Sequence, residues 1–202
     1  MFYRIVKRLT DFFGSIIGLI ILLPFFPFVA LAIKLDTVIS VIARSPRRGN
    51  LLERFFTAFR MTLVSPVLIK LDRVSRGKIV KVYKFRSMVE NAESQKKDLL
   101  KLNERNDGPF FKIKNDPRIT KVGRFLRKFR LDEFPQLINV LKGELSLVGP
   151  RPHEPGELFA YPREYRELLV AKTGITGLSQ VNGASSLPFL KELELDKFYL
   201  EN

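Results

Sequence analysis

The sequence predicts an α+β protein in which a re-entrant N-terminal membrane helix precedes a small, mainly helical domain with a short β-hairpin. Three observations predict this fold. Residues 12–33 carry no charge and contain two prolines, two β-rich runs flank a turn signal at residues 75–77, and helical apolar stripes recur further along the chain.

The composition limits the chemistry that the chain can perform. The 202 residues include 35 Lys plus Arg against 21 Asp plus Glu, for a net charge of +14, with no Cys and one His. The absence of Cys excludes thiol catalysis, thiolate-bound zinc and iron–sulfur clusters, and a single His excludes multi-histidine metal sites. Any reaction must therefore use carboxylates, hydroxyls, amines, guanidinium groups or the backbone.

Residues 12–33 form the uncharged run. As a straight helix this run would reach about 33 Å, close to the thickness of a bilayer core. Basic residues flank it on both sides, so the positive-inside rule places both ends in the cytoplasm. Pro24 and Pro27 lie near its middle, where each lacks a backbone donor and clashes with the preceding turn. We therefore expect a helix that enters, breaks and returns; the alternatives are a kinked transmembrane helix, a signal peptide or a buried soluble helix.

The domain that follows begins with a predicted hairpin. Residues 67–72 and 78–85 are rich in β-formers, and Ser75-Arg76-Gly77 between them is a hairpin turn signal. Residues 89–105 read as a polar, solvent-exposed helix, and residues 110–114 as a third strand.

Two more helical segments are predicted in this domain. Thr120 can cap a helix that has one apolar and one basic face, the apolar one carrying Val122, Phe125, Leu126 and Phe129 and the basic one Arg124, Arg127 and Lys128. Residues 189–200 are amphipathic, and they either lie on the membrane surface or pack against the domain.

Residues 131–143 contain the strongest candidates for catalytic side chains, the adjacent acids Asp132 and Glu133. Pro135 belongs in the first turn of a helix and Gly143 ends it, so Asp132 falls at or near the N-cap. Free N–H groups and the helix dipole favour an ionised carboxylate there. Glu133 follows directly, and the plainest interpretation is a capping Asp with an acidic first-turn neighbour. The buried stripe of this helix would consist of Phe134, Leu137, Ile138 and Leu141.

An unusual number of guanidinium groups surrounds this acidic pair. They belong to Arg86, Arg124, Arg127, Arg130 and Arg151. Two prolines flank Arg151 and stiffen its backbone, which suits a clamp for phosphate or carboxylate, although an isolated Pro-Arg-Pro is also a common surface turn. Carboxylates beside arginines fit a diphosphate held with Mg²⁺, since a carboxylate ligates the hard cation and the arginines neutralise phosphoryl oxygens.

Three stretches together closely resemble the bacterial sugar transferase family, the monotopic phosphoglycosyl transferases that begin polyprenyl-linked glycan assembly. They are VYKFRSM at residues 82–88, the run from NDPRIT to LVGPRP at residues 115–152, and GITGLSQVNG at residues 174–183. The N-terminal KRLTDFF and the proline-broken apolar run also resemble that family's re-entrant membrane helix. The resemblance covers residues 1–36 and 65–202.

The resemblance implies a two-step phosphoryl transfer. Asp132 would attack the sugar-bearing phosphorus of a UDP-sugar, release UMP and hold the sugar phosphate covalently until undecaprenyl phosphate accepts it. Glu133 matches the partner acid, which would help to hold Mg²⁺. Residues of the matching motifs are expected to contact substrate or phosphate, namely Lys84, Arg86, Arg127, Arg151 and Gln180.

The resemblance further implies a place in the cell and a set of partners. The catalytic domain would lie on the cytoplasmic face of the bacterial inner membrane, in contact with membrane lipid and with downstream glycosyltransferases. The product would feed exopolysaccharide, lipopolysaccharide, capsule or glycoprotein glycan synthesis. Nucleic acid is not an expected partner.

The chain departs from the family's pattern in several places. Residues 37–64 intervene between Asp36 and Ser65, where the family continues directly into a strand; they read as an insertion or as an added amphipathic, membrane-associated helix around residues 51–63. We therefore divide the chain into an anchor at residues 1–36, an atypical insertion at 37–64 and a catalytic domain at 65–202, which is C-terminally short against its relatives. Ala184 stands where the family commonly has Arg.

Two other functions remain open from the sequence. The departures would suit an inactive membrane scaffold for glycan assembly. The high pI, with Phe and Tyr interspersed among Arg, would suit a basic nucleic-acid-binding protein, although no recognised nucleic-acid motif is present. The lone His153 is either a substrate contact or an incidental neighbour.

Overall fold

The computed structural model describes residues 2–44, 50–183 and 186–202, and the architecture is α+β, as predicted. The strands are β1 (Leu68–Ser75), β2 (Lys78–Phe85), β3 (Ser146–Val148) and β4 (Gly174–Thr176). The α-helices are α1 (Phe2–Leu22), α2 (Phe26–Arg44), α3 (Leu51–Val64), α4 (Lys121–Lys128), α5 (Leu137–Lys142), α6 (Leu178–Val181) and α7 (Phe189–Glu201).

The apolar N-terminal segment is a broken helix. A short 3₁₀ turn at Leu23–Phe25 separates α1 from α2, and the break contains Pro24, as predicted, because proline cannot donate the helical hydrogen bond. The stretch Phe2–Ile42 is long and apolar enough to cross a membrane. Helix α2 runs on past residue 36, so the expected boundary between anchor and insertion does not coincide with a helix end.

The first arm of the broken helix, α1, is bonded to the domain through a buried carboxylate. Asp11 accepts hydrogen bonds from the Ser146 hydroxyl and the Leu147 N–H, each at 2.9 Å, and pairs with Lys172 at 3.2 Å. Arg8 donates to the last carbonyls of α5, both at 2.7 Å. The anchor and the domain therefore share one hydrogen-bond network.

Glycines let α1 approach the domain closely. A Cβ atom on Gly14 would lie 2.6 Å from the Leu147 side chain, and one on Gly18 would lie 2.8 Å from the Leu137 side chain. A larger residue at either position would have to displace the end of the facing leucine side chain.

The second arm, α2, is also bonded to the domain. Asp36 accepts from the Val122 N–H at 2.9 Å in the first turn of α4, and Thr37 accepts from Arg86 at 2.5 Å at the end of β2. Ile33 packs into an apolar cluster with residues of β2 and α4. Because both arms contact one domain, the packing supports a helix that returns; the re-entrant path itself stays a prediction.

The predicted hairpin is confirmed. Strands β1 and β2 pair antiparallel from Leu68 opposite Phe85 to Ser75 opposite Lys78. Arg76 and Gly77 form the turn with φ angles of 53° and 69°, the left-handed conformation that two-residue hairpin turns need. The parallel pair β3–β4 was not anticipated.

Two expected elements of the domain are absent. Residues 89–105 contain only 3₁₀ turns at Ser94–Lys96 and Leu100–Leu102, because Asn91 adopts a left-handed conformation and its carbonyl accepts from the Ser94 hydroxyl. Residues 110–114 form a loop instead of a strand, and one of its N–H groups, that of Lys112, donates to the Asn103 side chain.

Helix α4 begins where predicted. The Thr120 hydroxyl accepts from the Gly123 N–H at 3.0 Å. Leu126 is buried against β2 and α2, but Phe125 and Phe129, expected on the same buried face, are exposed. Phe125 is about 100° around the helix axis from Leu126, so it points away from β2 and α2, and Phe129 follows the last residue of α4.

The predicted single helix at 131–143 is two helices. A 3₁₀ helix spans Leu131–Gln136 and α5 follows, because Pro135 removes a backbone donor at the join. Gly143 ends α5 with φ 81°, as expected. Of the predicted stripe, Leu137 contacts α1, while Phe134 stays exposed.

Helix α7 packs against the domain, which decides between the two options left by the sequence. Phe189 and Leu193 are buried in a cluster with residues of the preceding loops. Glu192 and Asp196 lie on the same buried side of the helix.

Candidate active site

One cavity of about 970 Å³ collects every residue that the sequence analysis assigned to the site. Its walls come from the hairpin, the segment after β2, residues 105–119, the end of α4, the 3₁₀ helix at Leu131–Gln136, the loop at residues 151–157, β4 and α6. The predicted residues among its lining are Lys84, Arg86, Arg127, Asp132, Glu133, Arg151 and Gln180.

The acidic pair sits in the first turn of the 3₁₀ helix. Arg130, with φ 54°, is the residue at its N-cap, so Asp132 lies two positions further on and not at the cap itself. The Asp132 side chain is buried, with 6% of the residue exposed. Glu133 is partly buried and accepts a hydrogen bond from Lys84 Nζ at 2.6 Å.

The two adjacent carboxyls shift in opposite directions. Burial raises the pKa of Asp132, and the nearby charges of Lys84 and Arg127 only partly oppose this effect. Burial also acts to raise the pKa of Glu133, but Lys84 and then Arg130 and Arg151 outweigh it, so that pKa is lowered. A position near the helix N-terminus was expected to keep Asp132 ionised, whereas burial has the larger influence on its pKa.

Asn139 holds the acidic pair against the hairpin. It is fully buried in α5, accepts from the Tyr83 N–H at 3.0 Å and donates to the Lys81 carbonyl at 2.9 Å. These two bonds fix the position of α5 beside β2 and so place Lys84 next to Glu133. Sequence reasoning missed Asn139, although an amide between the apolar residues of a short helix was a usable signal.

The arginines of the cavity differ in what holds them. Arg127 Nε donates to the Ser87 hydroxyl at 2.9 Å, and Arg127 lines the cavity together with the acids. Arg86 is buried and turns towards Thr37 of α2 and towards Glu90, 3.5 Å away. Its role in phosphate binding stays a prediction, because these contacts already give it a structural one.

Arg151 is held from behind by α7. Its backbone N–H donates to Asp196 at 3.0 Å, and its guanidinium lies 3.4 Å from Glu192 and 5.8 Å from the centre of the Phe110 ring. Glu192 has no exposed surface. Neither acid of α7 was recognised from the sequence, although their spacing of four residues puts them on one helix face.

Of the remaining residues singled out from the sequence, Gln180 lines the cavity and His153 does not. Gln180 donates to the Ile175 carbonyl at 2.9 Å and so shapes the loop between β4 and α6; its contact with substrate stays a prediction. His153 is buried between Glu157 and Glu192 and does not line the cavity. Ala184 lies outside the described residues.

The domain thus combines an acidic pair among basic side chains with a proline-broken apolar helix that is long and apolar enough to cross a membrane. The chain belongs to the bacterial sugar transferase family, whose sequence model matches residues 2–64 and 53–202.

Several relatives of the chain carry names that state a reaction or a pathway. The chain is 47% identical over 141 residues to an undecaprenyl-phosphate galactose phosphotransferase of Salmonella typhimurium, covering 68% of this chain and 30% of the relative. It is 36% identical over 187 residues to a UDP-glucose:undecaprenyl-phosphate glucose-1-phosphate transferase of Escherichia coli, covering 89% and 32%. It is 38% identical over 189 residues to the exopolysaccharide production protein PSS of Rhizobium leguminosarum, covering 89% and 74%. The chain thus spans about a third of the length of the first two.

Proposed function

We propose that the chain transfers a sugar phosphate from a UDP-sugar to undecaprenyl phosphate, with Asp132 as the nucleophile. The observation that carries this proposal is the position of Asp132, which is buried in the cavity beside the Lys84–Glu133 pair and shares the lining with Arg127 and Arg151. Relatives named for both substrates support the choice of donor and acceptor.

The reaction would proceed in two displacements at one phosphorus atom. A carboxylate oxygen of Asp132 attacks the phosphorus that bears the sugar, and the bond from that phosphorus to the bridging oxygen of UMP breaks. UMP leaves with the electron pair. A phosphate oxygen of undecaprenyl phosphate then attacks the same phosphorus, the bond to Asp132 breaks, and the carboxylate is restored.

The neighbouring side chains would supply charge and position. Lys84 keeps Glu133 ionised and in place, since it opposes the effect of burial. Arg127 and Arg151 reach the cavity as donors for phosphoryl oxygens. The burial of Asp132 would also shield its phosphorylated form from water.

The acidic pair also fits a Mg²⁺ ion. Magnesium is commonly bound by one or two carboxylates together with substrate phosphates, and Glu133 is a carboxylate that lines the cavity. Among the described residues, no group of three or more acidic or His side chains offers an all-protein site. When bound, the ion would neutralise charge on the diphosphate; Glu133 would be its protein ligand.

Asp132→Asn tests the nucleophile. Because an amide cannot attack phosphorus, we expect this variant to lose UMP release from UDP-sugars and to lose the mass increase of a sugar phosphate on the quenched protein. A donor panel read out by UMP release identifies the sugar.

The wild-type chain is the reference in the same assay. Near-native turnover by Asp132→Asn would show that the nucleophile lies elsewhere. Failure of the wild type to release UMP from any donor, with Mg²⁺ and undecaprenyl phosphate present, would support the scaffold alternative.

A further inference from the structure

Helix α3 has three distinct sectors around its axis, as follows from about 100° of rotation per residue. Ala58 and Thr62 form the buried sector, which faces α2. Next to it lies an exposed apolar sector, and beyond that a sector with Glu53, Thr57 and Arg60, with Val64 at its end. The exposed apolar sector consists of Leu52, Phe55, Phe56, Phe59 and Leu63, each 45–65% exposed.

Helix α3 is a fixed part of the fold. Lys34 of α2 donates to the carbonyls of Thr62 at 2.5 Å and of Ser65 at 2.7 Å, which satisfies the open C-terminal end of α3. The buried sector packs against the same helix. The orientation of the exposed apolar sector relative to α2 is therefore set by the structure.

The exposed rings form an ordered surface. Phe55 stacks on Phe59 with ring centres 6.2 Å apart, and it meets Phe56 edge-on at 6.1 Å. Soluble proteins rarely leave an apolar patch of this kind open to water. A helix with an apolar side, a polar side and aromatic rings is the type that lies in the plane of a membrane interface.

We propose that α3 is a second lipid-contacting element, which lies along the bilayer interface with its phenylalanines among the acyl chains. The occupant of this face is lipid because the face adjoins α2, whose own exposed apolar residues Leu31, Leu35 and Ile39 continue the membrane-facing surface. Arg60 would lie at the level of anionic headgroups.

This contact has a consequence for the cavity. Helix α3 leads through Ser65 into Pro66, which lines the cavity, and Val67 accepts a hydrogen bond from the Arg86 N–H at 2.8 Å. The depth of α3 in the interface therefore sets the height of this wall of the cavity above the membrane. Contact of α3 with lipid does not depend on the reaction proposed for the cavity.

The absence of Trp makes a clean test possible. Phe56→Trp in the full chain, reconstituted in nanodiscs of phosphatidylcholine and phosphatidylglycerol, should emit at a shorter wavelength than Trp in water. Lipids brominated along their acyl chains should quench that emission by roughly two-fold or more, because the ring would lie within the upper acyl region.

Phe159→Trp is the matched control. Phe159 is 84% exposed on the 3₁₀ helix Pro155–Ala160, whose neighbouring residues pack into a cluster that contains no residue of α1, α2 or α3. Its emission should stay water-like and unquenched. Water-like, unquenched emission from Phe56→Trp would overturn the proposal. A blue-shifted but unquenched signal that depends on having two copies per disc would also overturn it and assign the face to a second copy of the chain.

Discussion

Asp132 and Glu133 are neighbours in the chain, yet their surroundings give them different acidities. Both are buried enough to disfavour charge, but only Glu133 has a direct cationic partner, Lys84 at 2.6 Å. A partner within hydrogen-bond distance outweighs the loss of solvation, whereas charges further away do not. The pair therefore divides into an acid with a lowered pKa and one with a raised pKa.

Lys84→Met should change the pH dependence of the reaction. Without Lys84, the pKa values of both Glu133 and Asp132 rise because its charge opposes the effect of burial on each, so the acid limb of kcat/KM moves to higher pH. At neutral pH the rate should fall by on the order of 10²-fold, the effect of losing one preorganised charged group. The measurement is UMP release across a pH series.

Lys81→Met is the matched control, since Lys81 lies on the same strand and pairs with Asp72 on the exposed surface. It should leave the profile unchanged. An unaltered acid limb in Lys84→Met would show that the reaction does not depend on the ionisation of either acid in this pH range.

At the scale of elements, α7 acts on the cavity through Arg151. Glu192 and Asp196 are both buried, and one holds the guanidinium while the other holds the backbone of the same residue. Burial raises the pKa of Glu192, and the positive charge of Arg151 opposes this shift. Helix α7 therefore belongs to the site although none of its acids lines the cavity.

Glu192→Gln should raise the KM for the UDP-sugar roughly ten-fold with little change in kcat, since the variant keeps its size but releases the guanidinium. Arg151→Ala and the double variant should then be equally impaired, because Glu192 would act only through Arg151.

Glu194→Gln, which lies on the exposed side of α7 and pairs with Lys191, should behave as the wild type. Additive losses in the double variant would assign Glu192 a purely structural role. A lower KM in Glu192→Gln would show that Glu192 restrains Arg151 instead of positioning it.

Much of the fold follows from local signals in the sequence. Pro24, Gly77, Thr120 and Gly143 each impose a conformation on their own neighbourhood, and the structure has the expected break, turn, cap and helix end there. The expected helix at 89–105 failed because a polar run without an apolar stripe has nothing to bury, so local side-chain bonds decide its path.

In the site, too, the residues of local motifs were predicted, whereas those that depend on distant contacts were not. The motif residues meet in one cavity as expected, since each lies in a stretch that matches the family. Asn139, Glu192 and Asp196 were missed because their partners are 41 to 58 positions away in the chain, and no periodicity reports such contacts. The raised pKa of Asp132 also depends on tertiary burial and could not be read from helix position alone.

At the scale of the whole molecule, we predict that the broken helix enters the membrane and returns to the same side. The chain has no Cys, so single substitutions Tyr3→Cys and Asn50→Cys, both at exposed residues that flank the apolar stretch, report the two ends separately. A membrane-impermeant maleimide should modify both in inside-out vesicles and neither in intact spheroplasts, because the basic flanks stay in the cytoplasm.

Phe159→Cys on the domain provides the reference for sidedness. Modification of the two flanking positions from opposite sides of the membrane would establish a spanning helix.

Arg8 and Asp11 of α1 bond the N-terminal helix directly to α5 and β3. The carbonyls that close the helix behind the acidic pair are covered by a side chain from α1, and β3 is tied to the same arm. Removing α1 would leave the last carbonyls of α5 without their Arg8 donors, and Ser146 and Lys172 without their Asp11 partner. The N-terminal segment is therefore a structural part of the folded domain as well as an apolar anchor, and a truncated chain that lacks it should be less stable.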